Sequence, residues 1–126
     1  MAPLRAECDE RGLALVPLAA PTTTDERMTE IGADARGFVY TVSLTGTTGE
    51  RAELPPGLAA TVTRVRSAAD VPVAVGFGIS TPDHARAVAE VADGVIVGSR
   101  VVRASGEGGA AAVGELVAEL AGALAP

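Results

Sequence analysis

The sequence contains no lysine: all ten of its basic residues are arginine. Chemistry that runs through a lysine amine, a Schiff-base aldolase or a pyridoxal-phosphate enzyme, is therefore excluded. Tryptophan is also absent, and two Phe (Phe38, Phe77) and one Tyr (Tyr40) make up an aromatic content of 2% in 126 residues. So few rings give bases little to stack on. The 16 acidic residues exceed the 10 basic ones for a net charge of -6, which repels a polyanion and an anionic bilayer. Neither nucleic acid nor membrane is an expected partner. Cys8 is the lone cysteine, so an internal disulfide and a thiolate metal site are excluded and a reducing compartment is expected. The sequence carries no cluster with metal-ligand spacing. Long apolar runs are missing as well: the longest, Leu13 to Pro21, is too short to span a bilayer, and the N-terminus turns charged at Arg5 and Glu7 before any apolar stretch forms. A cytoplasmic protein is expected.

What the chain does have is 48% hydrophobic residues, dominated by Ala and Val, beside 21% charged ones. This is the balance of a soluble globular domain, and at this length folding removes roughly two-thirds of the unfolded surface from water. One domain over 1–126 with an aliphatic core is expected. Four nearly continuous apolar runs, Leu13 to Ala20, Phe38 to Ser43, Val73 to Gly76 and Gly94 to Val97, read as buried parallel strands. Between and after them come sets with helical spacing: Met28, Ile31 and Ala35; Leu58, Val62 and Val65; Ala85, Val88 and Val91; Val113, Leu116, Val117, Leu120 and Leu124. An opening helix ends near Arg11, closed by Gly12 in a left-handed turn. Thr23 with Glu26 makes a candidate capping box, and Thr81 before Pro82 a candidate N-cap. Gly-rich Ala104 to Ala110 reads as a loop before the last helix. Strand, loop and capped helix repeated four times give a parallel α/β fold, an open doubly wound sheet or an arc of a barrel. A closed eight-stranded β/α barrel takes about 250 residues, so four units make about half of one and leave two strand edges unpaired.

Three segments carry candidate chemistry. Gly76-Phe77-Gly78-Ile79-Ser80-Thr81-Pro82-Asp83 leaves a strand through two glycines and enters a capped helix; the missing β-carbons and the free amides at the helix start suit a phosphate. The spacing differs from the dinucleotide fingerprint, because Thr81 stands where the third glycine would be. Val97-Gly98-Ser99-Arg100-Val101-Val102 ends a second strand in Gly-Ser before a short helical turn, and two consecutive glycine-bearing strand ends of this kind build the phosphate site of many β/α barrels. Ser43-Leu44-Thr45-Gly46-Thr47-Thr48-Gly49-Glu50-Arg51-Ala52 is a polar, glycine-punctuated loop, either a lid or a plain surface loop. Glu50 and Glu53 follow the lid glycines and read as solvated carboxylates rather than as general acids. Asp25 and Asp83 read as charges compensating helix dipoles, and His84 as a solvated residue in the first turn of a surface helix.

On these segments the sequence resembles the tryptophan synthase alpha chain, a β/α-barrel lyase that cleaves indole-3-glycerol phosphate to indole and glyceraldehyde 3-phosphate in tryptophan biosynthesis. Gly37-Phe38-Val39-Tyr40-Thr41-Val42-Ser43 with Gly46-Thr47-Thr48-Gly49 looks like the family's sixth strand and lid loop, Gly76-Phe77-Gly78-Ile79-Ser80 like its seventh strand end, and Gly98-Ser99 like its eighth. The resemblance implies the C-terminal half of a TIM (β/α)8 barrel, strands five to eight, without the first four strands. It also implies that Gly49, Gly78, Gly98 and Ser99 bind the substrate phosphate, that Tyr40, Phe77 and Thr48 lie near the glycerol or indole moiety, and that no cofactor is used. The family's two catalytic carboxylates lie on its second and third strands and have no counterpart here, so no catalytic residue is expected in this chain. The basic residue that usually starts the lid loop is replaced by Leu44. Expected partners are a phosphate ester such as indole-3-glycerol phosphate or glyceraldehyde 3-phosphate, a tryptophan synthase beta chain, and a second copy in a homodimer that covers the strand edges. Two further readings stand beside the lyase: a non-catalytic phosphate-binding half-barrel that self-associates, and a lid region that docks a beta-type partner without ligand.

Overall fold

A computed structural model describes residues 2–42, 57–76 and 81–125. In chain order these form α1 (Ala2–Glu10), β1 (Leu18–Ala19), α2 (Asp25–Asp34), β2 (Val39–Val42), α3 (Leu58–Ala68), β3 (Val73–Gly76), α4 (Pro82–Ala89), β4 (Gly94–Ile96) and α5 (Ser99–Leu124). The four strands make one sheet in the order β1-β2-β3-β4, every pair parallel. A doubly wound sheet reverses its strand order partway across; this sheet steps in one direction only. Right-handed crossovers that always step the same way put their helices on the same face of the sheet.

Burial follows from that topology. The register sets Ala19, Thr41, Val75 and Val95 side by side, with Val39 beside Val73 in a neighbouring row. Ala19, Val39, Thr41, Val73 and Val75 are each at most 1% exposed, and they form the core with Met28 and Ile31 of α2, Leu58, Val62 and Val65 of α3, Ala85 and Val88 of α4, and Leu116 and Leu120 of α5. The opposite face carries the row Leu18, Tyr40, Ala74 and Gly94 and the row Val42, Gly76 and Ile96. Residues of both rows are half-buried apart from Gly76, which is buried, and Leu18, which is 62% exposed. One face of the sheet is thus roofed by helices, and the other is an apolar floor.

The caps place the helices with two corrections to the sequence reading. Thr81 is the N-cap of α4, its hydroxyl accepting from the His84 amide at 3.2 Å ahead of Pro82. At α2 the cap is Thr24, accepting from the Arg27 amide at 3.2 Å, and not Thr23. The Thr23 hydroxyl is already engaged, accepting from the Ala20 amide at 2.9 Å to close the turn before the helix. Gly12 closes the opening helix at φ 70° as expected, with the amide of Leu13 donating to the Cys8 carbonyl at 2.8 Å. β1 covers only Leu18–Ala19 of the expected Leu13 to Ala20, because within the described sheet it pairs on one side alone, with β2. The expected loop over Ala104 to Ala110 narrows to two non-helical residues, Gly108 and Gly109, inside α5. In the same helix Val117 (49%) and Leu124 (37%) are exposed, and the buried stripe runs through Val113, Leu116, Leu120 and Ala123.

Asp93 aligns the last two strands, β3 and β4. Its amide donates to the Val73 carbonyl at 2.9 Å, its Oδ2 accepts from the Val73 amide at 2.9 Å, and Arg66 of α3 pairs with Oδ1 at 3.1 Å. The start of β3 is clamped to the start of β4, so their far ends, Gly76 and Ile96, finish side by side.

Candidate functional site

Those two ends are the place where a parallel α/β sheet presents ligand-binding loops. Val97 and Gly98 lead from β4 into α5, which begins at Ser99. Gly98 is the N-cap, with φ -117° and ψ -81°, and being glycine it supplies no side-chain cap. Its carbonyl accepts from the amides of Val101 (2.9 Å) and Val102 (3.1 Å). The amides of Ser99 and Arg100, which lie ahead of those bonds, are the orphan donors of a helix start, and Gly98 and Ser99 are both exposed. A β-carbon built on Gly98 would meet nothing within 4 Å. The position is open where a β-carbon would stand, and the positive end of a helix dipole favours an anion.

Gly76 does something different from what its sequence context suggests. Far from leaving room for an anion, a β-carbon there would lie 2.7 Å from Tyr40 Oη and 3.0 Å from Tyr40 Cε1. Tyr40 faces Ala74 in the register, two residues before Gly76, so the ring lies diagonally across to the glycine on the helix-free face. Glycine is required here to seat the phenol. Tyr40 is therefore placed on the floor beside the end of β3.

Of the expected site residues the structure describes Tyr40, against Gly76 at the end of β3, and Gly98 and Ser99, after β4 at the start of α5. Gly49, Thr48, Phe77 and Gly78, together with Glu50 and Glu53, lie outside the described residues. His84 is the residue that the sequence reading misplaced: it is 1% exposed, packed in the core side of α4 with Ala85 and Val88. Position 84 lies four residues before Val88 and so falls on the same helical stripe, a signal that spacing carries and residue type hides. Asp83 and Asp25 do lie in first turns, and each also holds an arginine, Arg86 at 2.7 Å and Arg64 at 2.9 Å. Arg100, half-buried in the first turn of α5, has its guanidinium 3.7 Å from Glu107. Among the described residues there is no group of three or more His, Cys, Asp or Glu that could hold a metal, and no helix long and apolar enough to cross a membrane.

The family model for the tryptophan synthase alpha chain matches residues 1–122. The tryptophan synthase alpha chain of Geobacter sulfurreducens is 45% identical over 123 residues, covering 98% of this chain and 47% of the relative. That of Lactiplantibacillus plantarum is 52% identical over 99 residues, covering 79% and 38%. A solved structure of Mycobacterium tuberculosis tryptophan synthase superposes with a TM-score of 0.86 at 38% identity, covering 97% of this chain and 46% of that one. The chain spans less than half the length of these relatives, with a parallel α/β fold similar to the alpha-chain barrel. From the residues matched and the fold shared, the chain belongs to the tryptophan synthase alpha chain family.

Proposed function

We propose that this chain is the phosphate-binding half, strands five to eight, of a tryptophan synthase alpha barrel: a single domain that serves the cleavage of indole-3-glycerol phosphate to indole and glyceraldehyde 3-phosphate in the cytoplasm, beside a beta chain. The observation that carries the reading is the glycine-started, side-chain-uncapped helix at the carboxyl end of β4, open where a β-carbon would stand and level with the end of β3. In this reading Gly98 and Ser99, with Gly49 and Gly78, hold the phosphate through backbone amides and the serine hydroxyl. Tyr40, Phe77 and Thr48 line the path to the indole and glycerol. The chain's own groups then bind and orient, while the proton transfers at the indole ring fall to carboxylates of the family's second and third strands.

Indole release from indole-3-glycerol phosphate, with and without a beta subunit, tests the division of labour. The expected outcome is binding of glycerol phosphate, lost when Ser99 is replaced by a bulkier residue, and no indole from this chain alone. Indole release by the folded chain would overturn it by showing that acids such as Glu50 or Glu53 act. A second reading, a non-catalytic half-barrel that pairs with a second copy, is favoured by the helix-free apolar floor with Leu18 62% exposed. It predicts twice the monomer mass in sedimentation, and a clean monomer at micromolar concentration removes it.

A further inference from the structure

The last helix is two rods and not one. Gly108 (φ -148°, ψ 16°) and Gly109 (φ 64°, ψ -152°) leave the helical region inside α5 and divide it into a first arm, 99–107, and a second arm, 110–124. The second arm is fixed in the core by Leu116 (4% exposed) and Leu120 (5%). The first arm has one fully anchored side chain, Ala104 (3%), with Val101 packed partly against the core. The pair between Arg100 and Glu107 runs from its first turn to its last and stiffens the arm. Its direction is set by Ala104, by the partly buried Arg100 and Val101, and by the angle at the glycines.

Both glycines encode that angle. The dihedrals of Gly109 lie in a region open essentially to glycine alone. A β-carbon on Gly108 would come within 2.8 Å of the Ala112 β-carbon, the first turn of the second arm. Any side chain at either position must change the angle between the arms. The first arm is about 13 Å long at the helical rise, so a tilt of about 10° at the glycines moves its start by about 2 Å. Hydrogen bonds to an oxygen do not survive a displacement of that size.

We propose that Gly108 and Gly109 are positioning residues for phosphate: they aim the first arm so that the amides of Ser99 and Arg100 converge on a phosphate monoester at the carboxyl end of β4. This rests on the phosphate reading above and adds the element that sets the site's geometry from a distance. It separates two duties within one helix, the second arm holding the fold and the first arm carrying the donors.

Calorimetric titration of glycerol 3-phosphate into the purified chain and four variants tests it, each variant first shown to be folded by circular dichroism and measured well below its melting temperature. Gly109→Ala and Gly108→Ala are expected to weaken binding by about tenfold or more, the worth of one hydrogen bond to a charged group. Gly106→Ala, in the first arm with nothing within 4 Å of the added carbon, is expected to bind as the parent does. Adding Ala112→Gly to Gly108→Ala removes the atom that the new carbon meets and is expected to restore affinity. A glycine of purely structural worth lowers the melting temperature and leaves the affinity of the folded protein unchanged, so parental affinity in folded Gly108→Ala and Gly109→Ala overturns the proposal. If Gly109→Ala does not fold, the Gly108→Ala pair decides on the same criterion. If the parent chain itself does not bind glycerol 3-phosphate, the phosphate reading falls and the positioning role falls with it; if the parent binds and the variants match it, only the positioning role falls.

Discussion

Thr41 is 0% exposed and sits on the helix side of the sheet between Ala19 and Val75. Among the described residues its hydroxyl has no hydrogen-bond partner. A hydroxyl taken from water without compensation costs about 1–3 kcal/mol, and valine has the same shape without the polar atom. Thr41→Val is therefore expected to stabilise the fold by about 1 kcal/mol, read as a higher urea midpoint with an unchanged slope; a lower midpoint would show that the hydroxyl is used. At this scale the sequence was legible where a residue's role follows from its spacing, as with Met28, Ile31, Val62 and Val65, all of which are buried as expected. It was misleading where residue type and position disagree. His84 looks solvated by type and is buried by position, and Gly76 looks like room for an anion but is room for the Tyr40 ring. The second case depends on a neighbouring strand and could not be read along the chain.

At the scale of elements, the tightest contact at any described glycine joins α2 to α3. A β-carbon on Gly32 would lie 2.0 Å from the Ala68 carbonyl oxygen and 2.4 Å from its carbon. In an unpacked helix Gly→Ala gains about 1 kcal/mol; here backbone stands in the way and cannot rotate aside. Gly32→Ala is expected to lower stability by about 2–3 kcal/mol, against a neutral or favourable effect for Gly114→Ala, whose added carbon meets nothing within 4 Å. Equal effects of the two in thermal melts would remove the argument. The order and kind of the elements were legible, since apolar runs, helical spacing and the Thr81 cap are local signals. Their limits were less so: the number of ladder partners shortened β1, and competition for the Thr23 hydroxyl moved the α2 cap to Thr24. Within α5 the glycine cluster was legible as a break, and only the structure narrows it to Gly108 and Gly109.

For the molecule at large, the decisive property is that strands stepping in one direction leave one face of the sheet without helices among the described residues. That floor carries Leu18 at 62% exposed, and apolar surface of this kind gains about 25 cal/mol per Å² when covered. A charge placed on it meets a desolvation cost in any closed assembly and none in a monomer. Leu18→Arg is thus expected to convert an associating species to monomer in sedimentation while leaving the helix-side core, and so the circular dichroism, unchanged; the same mass distribution for parent and variant would place the association elsewhere. The chemistry divides along the same line. Sequence alone excluded lysine-amine catalysis by this chain, because a missing residue type cannot be restored by folding. It also determined the alternation of strand and helix and the glycine-bearing ends of β3 and β4, because spacing and backbone freedom act locally. Tertiary structure decided that Gly76 makes room for a tyrosine, which side of α4 is core, and where the last helix bends, because each depends on atoms brought together by packing.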